Sequence, residues 1–101
     1  MDQTIVLIDK VSELVKAISE LFYQQKNQEA LAAMPGLLDG IMNLSALISE
    51  KEGISEESKK ELVKVMGDSL VAMENKDYVL LADILQYDMI ETLDGYKALF
   101  V

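Results

Sequence analysis

Glu13-Leu14-Val15-Lys16 recurs unchanged as Glu61-Leu62-Val63-Lys64, 48 positions later. The same offset carries Asn27 onto Asn75 and Leu37 onto Leu85, and it aligns conservative pairs such as Ile18 with Met66, Glu29 with Asp77 and Ile41 with Met89. Self-similarity at a fixed spacing is the mark of a duplicated supersecondary unit. Outward from these strings, apolar residues recur at steps of three and four, which is helical spacing. Val11, Leu14, Val15, Ile18, Leu21 and Phe22 define a first stripe, and Leu31, Met34, Leu37, Leu38, Ile41, Leu44 and Ile48 a second. Leu62, Val63, Met66, Leu70 and Met73 make a third, and Tyr78, Ala82, Leu85, Met89, Leu93, Tyr96 and Phe100 a fourth. No stretch alternates with period two over four or more residues, so no strand is expected.

One helical hairpin exposes an apolar face that it cannot cover by itself, and a second copy packed on the first covers both. The expected fold class is therefore all-α, an antiparallel four-helix bundle made of two duplicated helical hairpins. It occupies 1–101 as a single domain, with one repeat over 6–53 and the other over 54–101. Leu14, Ile18, Leu37, Ile41, Leu62, Met66, Leu85 and Met89 should lie in the core, at matched positions of the repeat.

The breaks between stripes are readable too. Polar residues interrupt the first stripe at Lys26-Asn27-Gln28. At Glu52-Gly53-Ile54 the glycine is suited to the left-handed residue that ends a helix. Ser55 follows as an N-cap for the third helix, with Glu56 and Glu57 at the positive end of its dipole, and Asp77 caps the fourth. Pro35-Gly36 falls inside the second stripe, where proline removes a donor and clashes with the carbonyl four residues back. Either the second helix starts at Pro35, or it runs from about Asn27 with a kink there.

Composition narrows the function. The 101 residues hold 18 acidic and 9 basic side chains, a net charge of −9, with 50% hydrophobic residues. That hydrophobic content is too high for disorder, and the acidic balance gives no footprint for nucleic acid or anionic lipid. The apolar Ile5-Val6-Leu7-Ile8 is broken at once by Asp9 and Lys10, so it reads neither as a signal peptide nor as a membrane span. Nothing later is expected to reach the eighteen or so apolar residues that spanning needs. A cytoplasmic location is expected.

There is no histidine and no cysteine. The commonest acid–base group, the thiol nucleophile and the best transition-metal ligands are therefore absent, and no enzyme activity, cofactor or metal is expected. Asp83, Asp88, Glu91 and Asp94 spread over more than half of the fourth helix's circumference, which describes a solvated acidic face. Gly67-Asp68-Ser69-Leu70 is similar to the Asp-Ser-Leu signature of acyl carrier proteins, which are small, acidic and helical. That resemblance implies phosphopantetheine on Ser69. Against it, Ser69 lies inside a periodic stretch, whereas the carrier motif opens a helix.

The favoured alternative is a non-catalytic, accessory or chaperone-like protein-binding module. Beside its core stripe the fourth helix carries Leu80, Leu81, Ile84, Tyr87 and Ile90, more apolar side chains than one four-helix core is expected to absorb, with Asp88 at their rim. Tyrosine and aliphatics on an acidic surface are what interfaces use. Pro35, Gly36 and Gly40 offer a second candidate, a groove opened by a kink, or else small residues that only let helices approach. The expected partner is a protein or peptide, apolar with basic flanks, and a twofold homodimer is expected through the fourth helix or the apolar end Ala98-Leu99-Phe100-Val101. The segment Asp77-Tyr78-Val79-Leu80-Leu81-Ala82-Asp83-Ile84-Leu85-Gln86-Tyr87-Asp88 resembles small uncharacterised helical proteins of Gram-positive anaerobes, some associated with flagellar and motility genes. The overall profile is similar to small acidic flagellar export chaperones. Both resemblances imply an accessory role and carry over no catalytic residue.

Overall fold

The structure is a computed structural model that describes residues 3–100. Met1, Asp2 and Val101, the last residue of the apolar C-terminal stretch, lie outside the described residues. Among the described residues there are four helices and no strand: α1 (Gln3–Tyr23), α2 (Asn27–Glu50), α3 (Glu56–Glu74) and α4 (78–100). The last is α-helical over Tyr78–Asp83 and Ile90–Phe100, with a π-helical stretch at Ile84–Met89 between them.

The helix ends follow from local chemistry. Ser55 accepts the Ser58 N–H at 3.1 Å, and Asp77 accepts the Leu80 N–H at 3.1 Å, each side chain satisfying one of the donors a helix leaves open. Both hairpin turns are Schellman closures built on a left-handed residue that is not glycine. In the first, Gln25 has φ 62°, Lys26 N–H donates to the Leu21 carbonyl and Gln25 N–H to that of Phe22. In the second, Lys76 has φ 58°, Asp77 N–H donates to Ala72 and Lys76 N–H to Met73. The expected glycine stop is displaced: Gly53 is left-handed, at φ 87°, but α2 has already ended at Glu50 and Gly53 turns the connection to α3.

The two left-handed residues are 51 positions apart, three more than the spacing of the identical tetrapeptides. Asn27 therefore opens α2 while Asn75 closes α3, and the aligned asparagines are not equivalent. Burial follows the spacing of the turns. Val11 and Leu62, Val15 and Met66, Ala30 and Leu81, and Met34 and Leu85 are all buried. Beyond Leu85 the matching spacing lengthens by one residue, pairing buried Leu37 with Met89, Ile41 with Leu93 and Leu44 with Tyr96. The π stretch lies where that change occurs, and a π turn holds one residue more than an α turn. Because of the three-residue difference, the identical tetrapeptides turn different faces inward. Val15 is fully buried, whereas Val63 is 59% exposed. Of the eight expected core residues, Leu14 is half-buried and the other seven are buried.

In the packed chain, α1 lies against α2 and α4, and α3 against the same two helices. Three polar links tie α1 to α4: Asp9 to Lys97 at 2.8 Å, Ser19 to Gln86 at 2.9 Å and Tyr23 to Asp83 at 2.6 Å. Residue numbers rise along one helix as they fall along the other, so the two run antiparallel. Near the hairpin turns the Phe22 and Tyr78 rings stack with centroids 5.5 Å apart. Near the other end, the Tyr96 hydroxyl accepts the Leu62 N–H at 3.1 Å and donates to the Ser58 carbonyl. These are the two groups that an α-helix joins directly, so the phenol sits on one rung of the α3 backbone ladder and bonds to both of its ends.

Helix α2 runs without a break from Asn27 through Pro35, which settles its start. In length and composition α2 also meets what crossing a membrane requires, with a mean hydropathy of 1.5 over its most apolar window. An unbroken apolar run is absent, but leucines, isoleucines and methionines with few charges raise the average. The large apolar side chains Met34, Leu37, Ile41, Leu44 and Ile48 are buried in the core.

The two valines of the repeated tetrapeptide should differ in thermal or urea unfolding. Val15→Ala removes two buried methyl groups and is expected to cost about 2 kcal/mol. Val63→Ala is expected to stay within about 0.5 kcal/mol of the parent. Equal losses at both positions would mean that the tetrapeptides bury the same face after all.

Candidate functional site

The residues expected to form an interface on α4 separate into two groups. Leu81 is fully buried and Ile84 is 8% exposed, so both belong to the core. Ile90 is half-buried and packed on the same core. Leu80 and Tyr87 face water, at 46% and 65% exposed, as do Asp88 and the neighbouring Val79. The correction has a physical cause. Leu81 lies three residues after Tyr78 and four before Leu85, so helical spacing already turns it inward, and the face that it shares with Ile84 is received by α1 and α3 from two sides.

The three residues of the supposed α2 groove do not line one cleft. Pro35 and Gly36 are exposed, and no side chain or neighbouring backbone lies within 4 Å of where a Gly36 Cβ would be. Gly40 lies one turn further along, at the α1 contact, where a Cβ would stand 3.1 Å from the Val11 Cγ2. Its role is close helix packing. Ser69, the supposed carrier serine, is fully buried in the middle of α3 and its hydroxyl donates to the Val65 carbonyl at 2.9 Å. No prosthetic group can be attached to that hydroxyl without opening the core.

Two features went unread in the sequence. On the α1/α4 side, Tyr23 reaches from the last turn of α1 and donates its phenol proton to the Asp83 carboxylate. That hydrogen bond, with smaller contributions from desolvation and from the negative charge of Asp83 itself, pushes the Tyr23 pKa up to about 12; Tyr87 also contributes. Tyr96 is raised as well, first because burial disfavours the phenolate, an effect the Leu62 N–H partly offsets.

Between α3 and the C-terminal part of α4 lies an open groove of about 740 Å³. Its α3 wall carries Glu57, Glu61, Lys64 and Asp68, spaced to share one helix face, and its α4 wall carries Asp88 and Glu91. Val65, Tyr96 and Leu99 supply apolar surface between them, and Gly95 leaves the α4 wall low. Helical spacing of the acids on α3 was visible in the chain. The divergence of α3 from the end of α4, which turns two acidic faces into one groove, was not.

Histidine and cysteine are absent from the sequence. Among the described residues no group of three His, Cys, Asp or Glu side chains could hold a metal ion. Over residues 1–99 the sequence matches the model of a family described as a domain of unknown function (DUF8042). The chain belongs to the DUF8042 family. No curated protein and no solved structure matches it. This DUF8042 chain therefore offers two surfaces, the Leu80/Tyr87 side of α4 with the Tyr23–Asp83 pair beside it, and the acidic groove.

The Tyr23–Asp83 bond makes a pH-dependent prediction for this DUF8042 chain. A folded pKa of about 12 lies above the ordinary 10.0, so its contribution to stability is complete below pH 10 and disappears as the pH rises through 12. Ultraviolet titration of phenolate should show a late component near pH 12 that Tyr23→Phe removes. Asp83→Asn should return it towards 10.0. A late component unchanged by both substitutions would show that this bond does not hold Tyr23.

Proposed function

We propose that this chain is a non-catalytic protein-binding module with an accessory or chaperone-like role in the cytoplasm, built as an antiparallel four-helix bundle from two duplicated hairpins. For the duplication, the supporting observations are the matched Schellman turns and the burial pattern that repeats at the turn spacing, with one residue inserted at the π stretch. For the function, one observation carries the reading. Leu80 and Tyr87, with Val79 beside them, stay in water on α4, although Leu81, Ile84, Leu85, Met89 and Leu93 of the same helix are used in the core. Each large apolar side chain left exposed forgoes roughly 1.5–3 kcal/mol of burial, and exposed apolar surface of this kind is what a partner covers.

The first occupant proposed is a second copy of the chain, paired about a twofold axis, since a patch that is self-complementary closes without further growth. A different protein would present an apolar segment with basic flanks, because the net charge of −9 steers such a segment in and slows the approach of acidic ones.

Light scattering at micromolar concentration is expected to give twice the 11.3 kDa chain mass, falling to the chain mass when Leu80→Asp and Tyr87→Asp are combined. Circular dichroism should remain helical, since neither side chain is in the core. A monomeric parent protein would remove the dimer. The same substitutions should then abolish recovery of the other partner in a pull-down from the native lysate, and recovery that survives them sinks this surface.

A further inference from the structure

The groove between α3 and α4 has a shape and charge that the Leu80/Tyr87 surface does not share. Its two walls hold the carboxylates of Glu57, Glu61, Asp68, Asp88 and Glu91 against the single ammonium of Lys64. All six of these side chains are exposed. From Glu57 to Asp68 the α3 wall covers three turns, about 16 Å at the α-helical rise. The charge is strung along a line instead of being gathered at one point. That is why no three of the described acids could hold one metal ion, and why a small cation would leave most of the wall uncompensated.

Between the walls the exposed apolar surface is chiefly one side chain. Leu99 is 50% exposed, and the Tyr96 ring and Val65 lie deeper, each close to fully buried. At Gly95 there is open space where a side chain would otherwise stand. An occupant must therefore bring positive charge along both edges and apolar groups down its middle. A basic amphipathic helix of about eleven residues has that pattern and that length.

We propose that this groove is a docking channel for a basic amphipathic segment of another protein. Its lysines or arginines meet the carboxylates of both walls, and its apolar side chains rest on Leu99 and the Tyr96–Val65 floor. The proposal rests on the reading of the chain as a binding module, but it uses different residues from the α4 surface, so the two can fail separately.

The test uses the full chain and a fluorescein-labelled peptide of about fourteen leucines and lysines set at amphipathic helical spacing. A scrambled peptide of the same composition serves as its control. Fluorescence anisotropy should show binding that weakens between about 50 and 150 mM salt, with the scrambled peptide about tenfold weaker or worse. Combining Glu61→Lys with Glu91→Lys should weaken the amphipathic peptide by about tenfold or more, while Glu13→Lys with Glu29→Lys, an equal charge change on exposed positions of α1 and α2, should cost less than about threefold.

Equal losses from both pairs, or equal binding of both peptides, would mean that the overall negative field attracts the peptide and the groove does not. Absence of binding would overturn the proposal as well. In that event the α4 surface still stands or falls on its own light-scattering and pull-down results. Amide shifts that move at Val65, Gly95 and Leu99 when the peptide is added would support the groove, and shifts confined to Leu80 and Tyr87 would overturn it.

Discussion

Helix α4 is packed on two sides at once, and the rest of the chain depends on how its inward face meets both α1 and α3. Leu81, Leu85, Met89 and Leu93 are fully buried along that seam. An α-helix drifts steadily as it passes a neighbour, so one apolar stripe of α period serves a single neighbour best. The π stretch at Ile84–Met89 adds a residue and resets the face part-way along. At its middle, Gln86 accepts a hydrogen bond from Ser19, which is itself fully buried on α1. The single hydroxyl proton of Ser19 is shared between Gln86 and the Lys16 carbonyl of its own helix, so the buried group is satisfied both locally and across the seam.

What could be read in the chain before the fold is known divides along the same line. Helical spacing and N-caps are local, and α1, α2, α3 and α4 fall where the stripes place them, with Ser55 and Asp77 at the caps. The core residues were mostly legible for the same reason. Register is a property of packing, and there the strongest textual cue misleads: the identical tetrapeptides differ by three residues from the spacing of the turns, close to one helical turn. Ile18 and Met66 are buried on either spacing, but Val15 and Val63 are not alike. The apolar residues of α4 outside its main stripe exceed what one neighbour can cover, but α4 packs on α1 and α3 together, so Leu81 and Ile84 are buried and only Leu80 and Tyr87 of that set stay in water.

The charge has a similar logic. A chain with twice as many acidic as basic side chains must place its carboxylates somewhere, and helices put them at three- and four-residue intervals on the faces turned outward. Where α1 and α4 meet, the charges are met in part by Lys97 on Asp9 and by the Tyr23 phenol on Asp83. Across the groove there is only Lys64 among five carboxylates. The two sides of α4 thus differ in kind: on one the carboxylates meet polar partners on the neighbouring helix, and on the other, beside the Tyr96 contact, like charges face each other across open space.

The Tyr96 hydroxyl does more than anchor the end of α4. Because it takes the Leu62 amide proton and gives its own to the Ser58 carbonyl, one rung of the first turns of α3 is tied to a side chain 34 positions further along. Opening those turns breaks both contacts of the phenol, which couples their fraying to that of the last turns of α4. In the language of native-state hydrogen exchange, Leu62 and the end of α4 form one opening unit, and its protection measures how firmly the molecule is closed at the end away from its hairpin turns.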